Sequence, residues 1–198
     1  KHGGYMGRRR RGHAVLRVIL VVLLVFVVVC VAAGFTFYQQ AEELKTQAND
    51  VMADVTTLKQ ELKSGDTSGA AATASSISTT ADAMRSTTEG TLWQLASKLP
   101  YIGTDVQNAR TLTSVLGNLS DNVLTPVVST INDAGGLNLS SARSLANMSD
   151  ELNASLEEAK STVDAMPEGH VSEVNNAVAR AKETIGSTSL SSDLTGAL

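Results

Sequence analysis

The sequence predicts an all-α protein: one transmembrane helix followed by an elongated extracytoplasmic helical bundle. Three observations carry that expectation. Residues 18–37 form a run of twenty without a charge, and at ~1.5 Å of rise per residue a helix of that length spans the ~30 Å hydrocarbon core of a bilayer. Between residues 40 and 185 every apolar stripe repeats with the helical period and none alternates as a strand would. After Tyr38 the only aromatic residues are Trp93 and Tyr101, while 40 of the 160 residues are Ser or Thr. So few large side chains suit thin helix-on-helix packing through Ala, Leu and Val better than a thick globular core.

The flanks of the apolar run set its orientation. Lys1, Arg8, Arg9, Arg10, Arg11 and Arg17 precede it and no acidic residue does, so the positive-inside rule makes residues 1–17 a basic cytoplasmic tail and puts the chain after the run outside. The arginines are thus topology determinants, with some attraction to anionic lipid, rather than a nucleic-acid patch. Arg17 is placed to snorkel to the headgroups, and Phe35, Phe37 and Tyr38 form an aromatic belt at the other interface. The many valines would favour a strand in water, but in lipid only a helix satisfies the backbone. A cleaved signal peptide is the rival reading, since Ala32 and Ala33 before Gly34 suit a signal peptidase. The run exceeds the ~7 to 15 residues of a signal h-region, and the helical pattern continues beyond it without a break. Cys30 follows Val29, not the small residue of a lipobox, and reads as a lipid-facing apolar residue.

Residues 39–99 read as a membrane-proximal helical hairpin and a short helix. The first stripe is Leu44, Ala48, Val51, Val55, Leu58 and Leu62, at near-heptad spacing, ending at Ser64, Gly65 and Asp66. The second is Ala70, Ala74, Ile77, Ala81, Met84 and Thr88, whose smaller side chains imply close approach and modest burial. An isolated hairpin of that kind is marginal, and needs the later helices or another copy of itself. After Gly90, a short helix with Leu92, Trp93, Leu95, Ala96 and Leu99 runs into Pro100, which forces the residue before it out of helix. Residues 100–103 form a joint, where Trp93, Leu99 and Ile102 are expected to pack together as the chain reverses. Pro100 and Gly103 frame this joint, and the five residues together are a candidate packing or binding anchor.

Residues 104–186 read as a three-helix segment. Thr104 or Asp105 caps a helix with the stripe Ala109, Leu112, Leu116, Leu119, Val123, Val127 and Ile131, kinked at Pro126. Gly135 and Gly136 close it. Asn138 or Ser140 opens the next, bearing Leu145, Met148, Leu152, Leu156, Ala159, Val163 and Met166, up to a turn at Pro167, Glu168 and Gly169. The last carries Val171, Val174, Val178, Ala181 and Ile185 before a Ser-rich end at residues 187–198.

The run Lys98-Leu99-Pro100-Tyr101-Ile102-Gly103-Thr104-Asp105-Val106, followed by Ala109-Arg110-Thr111-Leu112, resembles a Leu-Pro-x-Ile-Gly element of actinobacterial single-span cell-envelope proteins of unknown function. The resemblance implies that this chain is similar to the N-terminal half of that family, with a basic tail, one span and Ala-rich helices. The family's later domain, marked by Gln-Asn-x-Glu and Thr-Gly-Gly, would begin where this sequence reaches Leu198, so a further domain is expected there. The family supplies no activity to carry over.

The chemistry in the sequence is sparse. Ten Lys and Arg against twenty Asp and Glu follow Tyr38, a formal charge of about −10, which argues against nucleic acid as a partner. His170 is the one histidine after the run, in a turn and without a cysteine or second histidine to complete a zinc set, and reads as a solvated turn residue. No nucleophile elbow or phosphate loop occurs, and neighbouring acidic pairs such as Glu157 and Glu158 splay about 100° apart on a helix. No catalytic, cofactor or metal residue is therefore nominated. Trp93, the single tryptophan, reads as a core plug, with ligand stacking as its alternative role. Two functions are expected from these features. The first is a membrane-anchored scaffold or interaction module of the cell envelope, touching the lipid bilayer and an envelope-protein or cell-wall partner, with self-association through its helices. The alternative is the ligand-sensing ectodomain of a chemoreceptor-like protein.

Overall fold

A computed structural model describes the backbone of residues 11–187 and, within it, the side chains of residues 34 and 36–186. Every regular element among the described residues is a helix, so the protein is all-α. The chain divides into two units, Lys1–Glu42 and Glu43–Leu198. Helix α1 (Arg11–Ser64) runs without a break through the apolar run and the first stripe. No helix among the described residues is long and apolar enough to cross a membrane. The expected span over 18–37 falls mostly on residues whose side chains lie outside the described ones, as do the side chains of Arg11 and Arg17, while Arg8, Arg9 and Arg10 lie wholly outside.

Within the second unit the α1–α2 turn is built from three residues. Gly65 takes φ +77°, a left-handed conformation that costs glycine little, and the amide of Asp66 donates to Glu61 O at 2.9 Å to close the helix. The Asp66 carboxylate then accepts from Gly69 N at 2.9 Å and caps α2 (Thr67–Glu89). All six residues of the second stripe are buried in α2: Ala70, Ala74, Ile77, Ala81, Met84 and Thr88. They meet Val51 and Leu58 of α1, with Leu44, Ala48 and Leu62 packed around them. Val55 departs from the expected pairing and is 37% exposed. At its level Ser76 Oγ donates to Asp54 across the seam at 2.9 Å.

Pro126 acts one turn earlier than a simple kink. Helix α4 (Gly103–Leu119) widens into a π turn at Ser120–Leu124 before α5 (Thr125–Asp133) continues. Proline has no N–H to donate four residues back, so the backbone re-pairs through the longer bond from Thr125 N to Ser120 O. Gly135 and Gly136, both at positive φ, end α5. Asn138 then caps α6 (Leu139–Asp164), accepting from Ser140 N and Ser141 N while its own amide donates to Ser141 Oγ. Helix α7 (Ser172–Ser187) lies against α6, and Val163, Ala159, Met166 and Val178 form a second core with Val115.

The hairpin packs against the later helices, one of the two supports its alanine-rich stripe calls for. Val128 of α5 is buried in the α1–α2 core, with Leu116 and Leu124 beside it, so the later helices supply the burial that the alanine-rich hairpin lacks. This explains the α4 stripe as well. Leu112 and Leu119 lean on the α6–α7 core and Leu116 on the α1–α2 core; each is half-buried, and the buried positions of α4 include Val106, Thr113 and Val115. Helices α2 and α4 are joined by a buried polar pair, Thr88 Oγ1 and Thr113 Oγ1 at 2.7 Å, and Arg110 Nε donates to Thr88 O at 2.9 Å. Each hydroxyl also donates to a carbonyl three residues back, Thr88 to Arg85 O and Thr113 to Arg110 O, so Thr88→Val or Thr113→Val alone is expected to cost about 1 kcal/mol through the lost hydroxyl–hydroxyl bond, and the double variant less than the sum of the two. Urea unfolding followed by circular dichroism checks it.

Candidate functional site

The residues nominated from the sequence gather at one end of the bundle, where α3 (Thr91–Ala96) meets the start of α4. Trp93 is 3% exposed and plugs this end, as expected of it. Ile102 is half-buried and Pro100 exposed. Leu99 does not join them, being 52% exposed. The tight turn in which Lys98 N bonds to Leu95 O and Leu99 N to Ala96 O carries the Leu99 side chain round to solvent. Gly103 is buried because α4 starts against the end of α3. A Cβ there would stand 2.6 Å from Ser97 O, so the position requires the space that only glycine leaves.

Neither Thr104 nor Asp105 caps α4, whose N-cap is Ile102. Asp105, 3% exposed, reaches instead to the loop before α7, accepting from His170 N at Oδ2 and from Val171 N at Oδ1, both at 2.9 Å. One turn on, buried Asn108 donates to Pro167 O at 2.7 Å. From the other side Asn175 holds Gly169 twice, its Oδ1 accepting from Gly169 N at 2.9 Å and its Nδ2 donating to Gly169 O at 3.1 Å. Five polar bonds thus fix loop 167–171 on α4 and α7. Sequence reasoning missed this clamp. Its one trace is the pair of polar residues Asp105 and Asn108 at i, i+3 beside Val106, of which Asp105 reads as a cap.

The loop and the joint meet through their rings. Tyr101, at φ +85°, presents a ring 77% exposed, and it stacks on the exposed His170 with centroids 4.5 Å apart and planes 23° apart. A non-glycine residue in that conformation is held there by its surroundings at a cost of order 1 kcal/mol. Glu173, fully exposed in the first turn of α7, has its carboxyl held below the usual range, first by its own backbone N–H and then by the Ser172 hydroxyl.

Two open depressions lie along α4. One of about 280 Å³ lies beside the joint, lined by Ser97, Gly103, Thr104, Gln107, Asn108 and Pro167. The other, about 220 Å³, runs between α4 and α6 past Thr111, Ser114, Asn118, Asn122, Ser155 and Glu158. Among the described residues no group of three His, Cys, Asp or Glu side chains is placed to hold a metal ion. The buried carboxylate and amides of the clamp are spent on backbone groups, so this end of the bundle offers a fixed surface. No protein-family model, curated protein or solved structure matches the chain.

Proposed function

We propose that this chain is a membrane-anchored, extracytoplasmic helical scaffold or interaction module of a cell-envelope protein, akin to the actinobacterial single-span proteins its Leu-Pro-Tyr-Ile-Gly element resembles. The observation that carries the reading is that one helix, α1, contains both the uncharged run 18–37 and the stripe that packs into the bundle. A tether and the first element of a scaffold are then the same piece of secondary structure. The charge asymmetry supports the direction: every charged residue before the run is basic, and the acidic majority follows it. What the bundle presents is a surface of helix faces and a clamped joint.

The reading is tested by topology. With Cys30→Ala removing the native thiol, a cysteine at Ser114, in the open groove of α4, is expected to react with a membrane-impermeant thiol reagent on intact cells. One at Gly4 is expected to react only after the membrane is opened. Labelling at Gly4 alone reverses the orientation, and equal labelling of both in a soluble fraction removes the tether.

A further inference from the structure

We propose that the face of α4 carrying Thr104, Gln107, Thr111, Ser114, Asn118 and Asn122 is a binding groove for a strand of neutral glycan. The groove lies wholly within the unit Glu43–Leu198, so the inference goes beyond the tethered reading and does not depend on it.

The six residues follow one another at spacings of 3, 4, 3, 4 and 4, which on a helix is a single face. The π turn at Ser120–Leu124 does not break the line, because Asn122 still lines the same depression as Asn118. From Thr104 to Asn122 the face is ~27 Å long at the helical rise. Both depressions open on it. Thr104 and Gln107 line the one beside the joint, and the next turn, from Thr111 on, lines the one against α6. Helix α6 is the opposite wall. It runs antiparallel to α4, with Pro167 just past its end bonded to Asn108 and with Ser155, Glu158 and Thr162 lining the depression along the later turns. Val115 and Ala159, both buried in the α6–α7 core, form the floor.

The chemistry of the lining selects the ligand. In a chain with 16 basic and 20 acidic residues, the described residues that line the two depressions include one charged side chain, Glu158, and no Lys, Arg or His. An anionic ligand therefore finds nothing there to neutralise it. Thr104, Ser114, Asn118, Asn122 and Ser155 make no side-chain hydrogen bond to another described residue, so their donors and acceptors are unspent. A bound peptide draws on a sheet edge or on apolar pockets for its anchors. This floor offers two small side chains instead. A sugar ring carries hydroxyls around its edge and C–H bonds on its faces, so its edge pairs with the hydroxyl and amide walls while a face rests on Val115 and Ala159. A chain of such rings without charge complements the whole line.

The joint adds an aromatic surface at one end. The turn that supplies Ser97 and Gly103 to the groove also holds Tyr101, whose ring is 77% exposed and backed by His170. Backbone strain of the kind Tyr101 carries at φ +85° clusters at ligand sites, and the free face of such a ring suits the C–H face of a sugar.

The test titrates the full chain by isothermal calorimetry, in a detergent without a sugar headgroup, with the β-1,4-linked hexamer of N-acetylglucosamine as the probe. Saturable binding is expected, and none is expected for a hexamer of galacturonate, which carries a carboxylate on every ring. Ser114→Tyr plants a ring in the middle of the groove and is expected to weaken binding by at least about tenfold. Asn118→Leu, an exposed position whose substitution leaves the core alone, is expected to weaken it roughly three- to tenfold through one lost hydrogen bond. Tyr101→Ala is expected to do the same through one lost aromatic contact, roughly three- to tenfold. Glu157→Tyr, exposed on α6 outside the lining, is expected to bind as the wild type does. An absence of binding by a wild-type chain that is helical by circular dichroism overturns the proposal. Equal affinity in Ser114→Tyr and Asn118→Leu places the hexamer elsewhere and also overturns it. Binding of an uncharged Ser- and Asn-rich peptide in place of the hexamer assigns the groove to a protein partner, with the same consequence.

Discussion

Trp93→Ala is expected to lower the stability of the bundle by about 3 to 5 kcal/mol, the usual cost of deleting a buried large aromatic side chain. The indole is 3% exposed where the short α3 closes one end of the structure, and the neighbouring Gly103 contact leaves no slack for collapse, since α4 already meets Ser97 O at that point. Trp93→Phe keeps most of the buried surface and is expected to cost roughly half as much. The measurement is urea unfolding of residues 39–198 followed by circular dichroism, and it tests the bundle too: a substantial strand signal from that segment would sink the all-helical assignment in solution. An unchanged midpoint for Trp93→Ala would mean that the indole is not part of the core, and would move it toward a partner-binding role.

Helix α2 was legible to the residue because one face of it is buried and the other is wet, which is the condition under which hydrophobic period reads out burial. Its six stripe positions are the six buried ones. Helix α4 was less legible for the opposite reason. It is packed on two sides, so Leu112 and Leu116 pack on different cores and the buried positions of the helix include Asp105, Asn108 and Thr113, which no apolar template selects. Pro126 announced an irregularity, but the sequence could not say that it would take the form of a π turn at Ser120–Leu124. At the joint, Trp93 was identified by its rarity and Gly103 by its place before a helix. Leu99 was misplaced because a tight turn of two i→i−3 bonds rotated it by more than the helical period allows for. Least visible was the clamp. Asp105 bonds to amides 65 and 66 residues away, and a backbone N–H carries no side-chain signature by which a sequence could announce it.

That clamp gives the second large effect. Asp105→Ala is expected to cost about 2 to 4 kcal/mol, because it strips the acceptor from two backbone donors at once, each bonded to a charged group. Asp105→Asn keeps one acceptor and turns an amide donor toward the other N–H, so it is expected to fall between wild type and alanine. Hydrogen exchange at His170 and Val171 amides is expected to speed up in both variants, and the Tyr101–His170 stacking to loosen with it. Gly169 supplies the control that separates this account from general destabilisation. A Cβ at Gly169 would run into the Asp105 carboxylate, and the three nearest atoms it would meet all belong to that group. Gly169→Ala is therefore expected to destabilise in the wild-type background by about 1 to 3 kcal/mol. In Asp105→Ala, where the obstructing atoms are gone, it is expected to cost far less, so the double variant should be more stable than the two single effects predict. Strict additivity would show that loop 167–171 does not rest on Asp105, and the fixed surface at the joint would then lose the interaction that holds it.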